Sequence, residues 1–490
     1  MLSDMSNAFC APRRRLWRTW FDLVGELRSA CRRQRTFLWL ALVLAAFCLR
    51  PDLAGVTSFM RALHLGAAAY YCLPWFFHSP ALNLDQLTAC WLGVLRRRLG
   101  RRWVRVRGRP VVAVDGLKRP KEGQKMPAVK SLHQDCGCNA KAPFIMGHSC
   151  QAVALLARAA GAVFALPVAA RIHEGLVWSN RDRRTLLDKL RQLLLSLPWT
   201  EAVTVVADAY YAAGRFARRL REHGHHLVTR VRTNAVAFWP APQPKYLRRG
   251  RPALYGAKLK LRRYFRRHAQ FQSAPSPLYD DAPALTLRYY CCNLLWRPLG
   301  QMVRFVWVIH PGRGRLILMT TDLAMAPLDV IRLYGWRMKI EVGFKQAIHT
   351  VGAYAYHFWM RAMSPIQRRS GNQHLHRRSA GYRQQVRRKF AAYQRHIQLG
   401  LIAQGLLQYL ALCLRHTVWA TFNTFLRTAN PHGTPSEWVV AQALRQSWPD
   451  FLADLPLAEI FKKFLSQQTD RRRCPYYDAF LSHSPPAKAA

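Results

Sequence analysis

Two aspartates and one glutamate carry the chemistry this sequence offers. Asp115 closes the apolar run Val111-Val112-Ala113-Val114, and Asp208 closes Val203-Thr204-Val205-Val206-Ala207. Glu341 lies further on, in Tyr334-Gly335-Trp336-Arg337-Met338-Lys339-Ile340-Glu341. Asp208 follows Asp115 by 93 positions, and Glu341 follows Asp208 by 133. Carboxylates at the carboxyl ends of short buried strands sit where open α/β sheets place ligand sites. Hard oxygen donors of this kind suit Mg²⁺, which takes one or two carboxylates per ion plus substrate oxygens and waters. Two such ions about 3.5–4 Å apart activate an attacking oxygen and stabilise a leaving one at phosphorus. Three converging carboxylates are enough to build that site.

The glutamate segment adds cations. On an α-helix, Tyr334, Arg337, Glu341 and Lys345 fall within an arc of about 80°. A phenol, two cations and a carboxylate then face one way, which suits a metal beside a phosphate. The same spacing fits an ordinary surface ladder Arg337–Glu341–Lys345, and Asp115-Gly116 fits a plain turn after a strand. Spacing by itself leaves both readings open.

The elements that must hold these residues read as an α/β chain. Residues 1–108 lack strand-like alternation and read as helical, with Pro51, Pro74 and Pro80 as breakers. At Arg109-Pro110 the character changes to strand. Further strands are expected at 144–146, 162–168, 203–207 and 226–231, with helices at 184–195 and 216–223. Pro240, Pro242, Pro244 and Gly250 mark a break. Residues 255–321 then hold alternating runs at 285–295, 302–309 and 316–319. Ala326-Pro327 opens a helix, with Asp329 near the positive end of its dipole, reaching about Ile348. Residues 365–388 read as a mobile or DNA-ordered basic segment, and 399–426 and 436–448 as apolar helices. The expected organisation is a helical, DNA-binding region at 1–108, a first part of an α/β core at 109–236, a β-rich insertion at 237–324, a second part of the core with the glutamate helix at 325–362, and a basic, helical region for DNA contact or dimerisation at 363–490.

Composition narrows the partner. The chain has 490 residues and a formal net charge of +50, with 75 Lys+Arg against 25 Asp+Glu. Half the residues are hydrophobic and 12% aromatic, which excludes a disordered basic tail as the main description. The acids are absent from whole stretches: residues 86–114, 223–279 and 342–436 hold none, but carry eight, twelve and thirteen Lys+Arg. Arg outnumbers Lys 60 to 15, and Arg forks onto phosphate oxygens with two parallel hydrogen bonds. Aromatic residues such as Trp103, Tyr255, Tyr264 and Tyr393 are interleaved, as on nucleic-acid surfaces. A compact body this basic repels itself unless a polyanion is near, and nucleic acid is the first candidate. Arg230, Arg232 and Asn234 close a strand, where they either reach phosphate or face solvent, and Lys118 follows Asp115 closely; Arg230, Arg232 and Lys118 are expected as DNA contacts.

Other classes are disfavoured. The longest apolar run, 37–49, is 13 residues, short of the roughly 20 a membrane span needs, so no membrane partner is expected. Twelve scattered cysteines suit a reducing cytoplasm. No G-x4-G-K-[ST] motif supports nucleotide hydrolysis. His133, Cys136, Cys138, His148 and Cys150 lie within 18 residues, without a standard zinc spacing, and read as packed or turn residues.

Together these blocks resemble the DDE transposases of bacterial insertion sequences, in the group with a Y-x2-R-x3-E-x6-K signature. Residues 112–116 (VAVDG) are similar to their first aspartate block and 205–211 (VVADAYY) to the second, while Tyr334, Arg337 and Glu341 match Y-x2-R-x3-E. The likeness spans roughly residues 105–360. Two positions depart from it: Ile348 stands where the signature has its final Lys, with Lys345 on the same helix face, and Met338 stands where a Trp is expected. The resemblance implies a ribonuclease-H-like mixed sheet with a β-rich insertion and helical terminal regions. It implies two Mg²⁺ ions, with Mn²⁺ able to stand in, held by Asp115, Asp208 and Glu341, and a flanking phosphate gripped by Arg337, Tyr334 and Lys345. It implies cut-and-paste transposition by a homodimer on paired double-stranded DNA ends, in a bacterial, nucleoid-associated setting. The alternative is a decayed relative that only binds DNA.

Overall fold

The computed structural model describes residues 2–134, 142–159, 161–242, 252–453 and 458–477. Five helices come first: α1 (Leu2–Gly25), α2 (Gln34–Leu49), α3 (Thr57–Ala62), α4 (Ala67–His78) and α5 (Leu84–Leu99). Strands follow: β1 (Arg105–Val106), β2 (Arg109–Pro120), β3 (Lys130–His133), β4 (Phe144–Ala159), β5 (Ala162–Ile172) and β6 (Leu176–Val177). Next are α6 (Leu186–Ser196), β7 (Thr204–Ala207), α7 (Gly214–Glu222) and β8 (His226–Arg230). The β-rich segment holds β9 (Val236–Pro240), β10 (Tyr255–Lys260), β11 (Gln272–Pro275), β12 (Thr286–Trp296), β13 (Gln301–His310) and β14 (Gly314–Thr320). Then come α8 (Pro327–Trp336), α9 (Met338–Gln346), β15 (Gln373–His374), α10 (Ala380–Cys413), α11 (Arg415–Thr421), α12 (Glu437–Gln446), α13 (Trp448–Ala453) and α14 (Glu459–Gln468).

The sheet is built around strands buried on both faces. Val111 to Val114 in β2 are fully buried, as are all four residues of β7. Continuous apolar runs of this sort belong to parallel strands at the centre of a sheet. β2 is parallel to β7, and β7 to β8. On the other side β4 runs antiparallel to β2, and β5 antiparallel to β4. The β-rich segment does not form a sheet of its own. β14 pairs antiparallel with β8, so β13, β12, β9 and β10 continue the same sheet outward.

An open strand edge is a row of unpaired N–H and C=O groups, and β5 has one. α10 covers it with glutamines. Gln394 exchanges hydrogen bonds with the backbone of Ile172 at 3.3 and 3.4 Å, Gln398 donates to the Val168 carbonyl at 2.9 Å, and Gln408 donates to that of Ala165 at 3.4 Å. α10 is long and apolar enough to cross a membrane, yet 89% of its apolar window lies inside the protein. It is a core helix.

Two expectations change here. Residues 365–388 are anchored rather than loose: β15 pairs with β6, Ser131 donates to the Ser370 carbonyl, and α10 starts already at Ala380. The apolar helix expected at 399–426 therefore begins earlier and breaks at Leu414, where α11 takes over. Nor do residues 1–108 stand apart. α2 is buried from Phe37 to Leu49 and packs against α10 and α12, so helices from both ends of the chain share one core.

Arg50, just after α2, ties this helical layer to the glutamate helix. It is 1% exposed and forms no ion pair with a carboxylate among the described residues. Its guanidinium donates to the carbonyls of Val351 and Gly352, to Gly55 O and to Ser58 Oγ, and lies 4.8 and 4.9 Å from the Phe47 and Phe59 ring centres. Burial pushes its pKa down to about 9. Gly352 is required beneath it: φ is +69°, and a Cβ there would sit 2.1 Å from Arg50 Nη2. Arg50→Met leaves buried carbonyls without donors, and we expect it to destabilise the fold by about 2–4 kcal/mol in urea titrations.

Candidate active site

Strand register brings the two aspartates together. In the parallel pair, Val114 is opposite Ala207, the last residue of β7. Asp115 and Asp208 are the next residue on each strand, and neighbouring strands lie about 4.8 Å apart. The strand end expected at Asp115 is not found there: β2 runs on to Pro120, paired with β4, and only its parallel partner stops. The Asp-Gly pair is therefore not a turn. Asp208 leaves β7 and caps the short turn at 209–211, its Oδ1 accepting from the Ala209 N–H at 2.6 Å.

Glu341 arrives from the other side on α9. The helix expected to run unbroken is interrupted at Arg337, where the N–H is shared between the carbonyls of Leu333 and Tyr334, both at 3.2 Å. The side chains still converge. Arg337 Nη1 lies 3.1 Å from Asp115 Oδ2 and 2.8 Å from Glu341 Oε1, and the Tyr334 hydroxyl donates to Asp208 Oδ1 at 3.5 Å. α9 is held in place from behind. Gln404 of α10 donates to the Gly343 carbonyl at 2.9 Å, two residues past Glu341.

The site is electrostatically loaded. Burial pushes the Asp115 carboxyl from the ordinary 3.8 up to about 6; the Gly116 N–H and Arg337 oppose this, while Glu341 and Asp208 add to it. Burial likewise raises the Tyr334 phenol.

Other residues take different places. Lys345 is exposed, and no hydrogen bond or ion pair joins it to the acids. Ile348 lies in the wider turn Ala347–Val351 that ends the helix. Lys118 is on the opposite face of β2 from Asp115 and donates to the His133 carbonyl. Arg230 acts electrostatically on the Tyr334 phenol. Arg232 lines a cavity of about 510 Å³ beside Asp208, together with Tyr210, Asn234, Lys258, Trp296 and Arg297. No carboxylate among the described residues lines that cavity. A second cavity, about 580 Å³, opens past the end of β5 and mixes Asp85, Glu174 and Asp182 with Arg171, Arg184 and Lys189. Its mixed lining suits a polyanion less well than the carboxylate-free cavity that starts at Ala209, next to Asp208. His148 and Cys150 are buried, His148 bonded to Tyr356 and the Pro127 carbonyl. Cys136 and Cys138 fall outside the described residues.

Sequence reasoning missed Tyr211 and Gln151. The Tyr211 hydroxyl accepts from Gln151 Nε2 at 3.4 Å, and Gln151 Oε1 contacts His173 Nδ1 at 2.7 Å. Burial, and then the Asp115 charge, raise the Tyr211 phenol. Gln151 faces Gly116 across the strands, a pairing that only the register reveals.

A protein-family model described as a DDE superfamily endonuclease matches residues 27–276. The chain belongs to the DDE superfamily of endonucleases. The matched span of this endonuclease holds Asp115 and Asp208, and Glu341 lies beyond it. A search of curated proteins gives no match. Among solved structures, the cryo-EM structure of the piggyBac transposase synaptic complex with hairpin DNA is distantly similar, with a TM-score of 0.35 and 9% identity over 92% of this chain and 83% of that one.

The donor chemistry of the endonuclease fits divalent metal. Asp115, Asp208 and Glu341 offer hard oxygens only, and two of them already flank one cation, the Arg337 guanidinium. As they stand, no three ligand-type side chains among the described residues are gathered on one point, and Arg337 Nη1 lies between Asp115 and Glu341.

Proposed function

We propose that this endonuclease is a DNA transposase that cuts and joins strands at the ends of an insertion sequence. The observation that carries the reading is Arg337 joining Asp115 to Glu341, with Tyr334 on the adjacent Asp208, at one end of the β2–β7 pair, beside a cleft lined by cations and rings. The strand order β5-β4-β2-β7-β8, antiparallel up to β2 and parallel beyond it, supports a ribonuclease-H-like core.

Divalent ions bound by the three carboxylates, Mg²⁺ or Mn²⁺, would supply Lewis-acid activation of the attacking oxygen and charge relief on the leaving one. The chain's own residues do the rest. Arg337 and Tyr334 orient the scissile phosphate at the carboxylates. Arg232, Lys258 and Arg297 hold the strand that continues past Asp208, and Tyr210 and Trp296 offer ring faces to it. In the first step water attacks phosphorus and the P–O3′ bond breaks, leaving a 3′-hydroxyl on the element's end. In the second, that hydroxyl attacks a target phosphodiester, and a 3′-oxygen of the target leaves with the proton. Two copies on paired double-stranded ends would keep the cuts together.

The test is a labelled duplex carrying the DNA ends that flank the reading frame, incubated with the full chain and Mg²⁺ or Mn²⁺. Metal-dependent nicking at the ends and joining to a second duplex are expected. The competing reading, a decayed transposase that only binds DNA, draws on Ile348 at the signature's Lys position. It predicts salt-sensitive binding and no cleavage with either metal. In the same binding assay, Arg232→Gln and Lys258→Gln should each lower the slope of log affinity against log salt by about 1; unchanged slopes would move the DNA path away from this cleft.

A further inference from the structure

With the three acids taken as a metal centre, a reading on which the inference rests, the position of Arg337 implies more than a phosphate grip. One nitrogen, Nη1, is shared between Asp115 Oδ2 at 3.1 Å and Glu341 Oε1 at 2.8 Å. The Arg337 side chain is only 11% exposed and Asp115 18%, while Glu341 is 44% exposed, so the pairing is shielded on its Asp115 side and open to water on its Glu341 side. The oxygens of these two carboxylates face one point, and a guanidinium nitrogen fills it. A divalent ion held by Asp115 and Glu341 would compete with the guanidinium for these carboxylates.

The rest of the guanidinium is poorly served. Nε is buried without a partner, and Nη2 lies 3.1 Å from the Met338 sulfur, a weak acceptor. A phosphate, with two oxygens matched to the guanidinium fork, satisfies Arg better. The Tyr334 ring, 5.7 Å from the Arg337 Cζ, gives the side chain a face to move along. The charge balance points the same way: one guanidinium is set against Asp115, Asp208 and Glu341, and the surplus is negative.

We propose that Arg337 is the resident counter-ion of the acid centre, that it yields this place to a divalent metal, and that it turns to a phosphate of bound DNA. Metal and DNA therefore bind cooperatively through one side chain, and in the metal-free, DNA-free enzyme Arg337 stays paired with Asp115 and Glu341.

The test is calorimetric titration of the full-length protein with Mn²⁺ at about pH 8, without DNA and with a saturating duplex. Arg337→Gln should bind Mn²⁺ about tenfold more tightly than wild type without DNA, a coupling of ordinary allosteric size. Saturating duplex should raise the wild-type affinity by a similar factor and leave the variant within about twofold. Arg337→Lys keeps a point charge between the acids and should stay near wild type. Equal or weaker Mn²⁺ binding by Arg337→Gln, or equal tightening in Arg337→Lys, overturns the proposal. A different result marks failure of the underlying reading: Mn²⁺ uptake that Asp208→Asn does not reduce in either background means the acids are not the metal centre.

Discussion

Asp208→Asn is expected to abolish strand cleavage, by roughly a thousandfold or more, while DNA binding and the fold persist. The size follows from the several kcal/mol of charge stabilisation that metal ligation supplies at a phosphoryl centre. The fold is expected to persist because Asp208 is not what holds β7. Its backbone carbonyl takes the Thr229 hydroxyl at 2.8 Å and the Tyr211 N–H, and both survive the change. An asparagine oxygen can still accept from Ala209 at the cap. The measurement is single-turnover cleavage of end-labelled duplex alongside a binding titration. Wild-type cleavage by the variant would remove Asp208 from the catalytic set, and loss of binding together with cleavage would make its role structural.

The second large effect has opposite signs in two assays. Asp115→Asn should also abolish cleavage, yet it should stabilise the protein at neutral pH by up to about 3 kcal/mol. Burial raises the folded-state pKa of Asp115 from 3.8 to about 6. Between those values the folded state holds a proton that the unfolded chain releases. Stability therefore falls as pH rises through that window, and the full penalty is present above about pH 6. Asparagine does not titrate and escapes the penalty. The advantage of the variant in urea melts should be full at pH 8, shrink as pH falls through about 6, and vanish near pH 4. A variant less stable than wild type at pH 8 would show that the pairing with Arg337 outweighs the burial cost. A gain in stability beside a loss of activity is the behaviour expected of a strained functional site.

These effects rest on features that differ in how visible they are in the sequence. The apolar runs of β2 and β7, each ending in an aspartate, show themselves locally, because a strand buried on both faces needs an unbroken set of small and β-branched residues. Ala326-Pro327 marks the start of α8 for the equally local reason that proline suits the first helical turn. The basic surface is plain from the acid-free stretches. The extent of β2 beyond Asp115 was not visible, since Gly116 and the polar residues after it look like a turn until β4 is found paired alongside. The start of α10 was hidden in the same way. Residues 380–398 are polar along much of their length, and Gln394 and Gln398 become core residues because the β5 edge needs hydrogen-bond partners.

The sequence by itself determined which residues are the candidates for the chemistry, the type and order of most elements, and the polyanionic partner they imply. Those properties depend on short-range patterning and on net charge. Only the tertiary structure decided that Asp115 and Asp208 are neighbours across a parallel pair, that the Tyr211 phenol lies within reach of their charge and is bonded to Gln151, and that Lys345 stays in solvent. It alone placed Arg337 between Asp115 and Glu341. Contacts of this kind join residues from 60 to 222 positions apart, and strand register and helix packing, which no local window contains, set them.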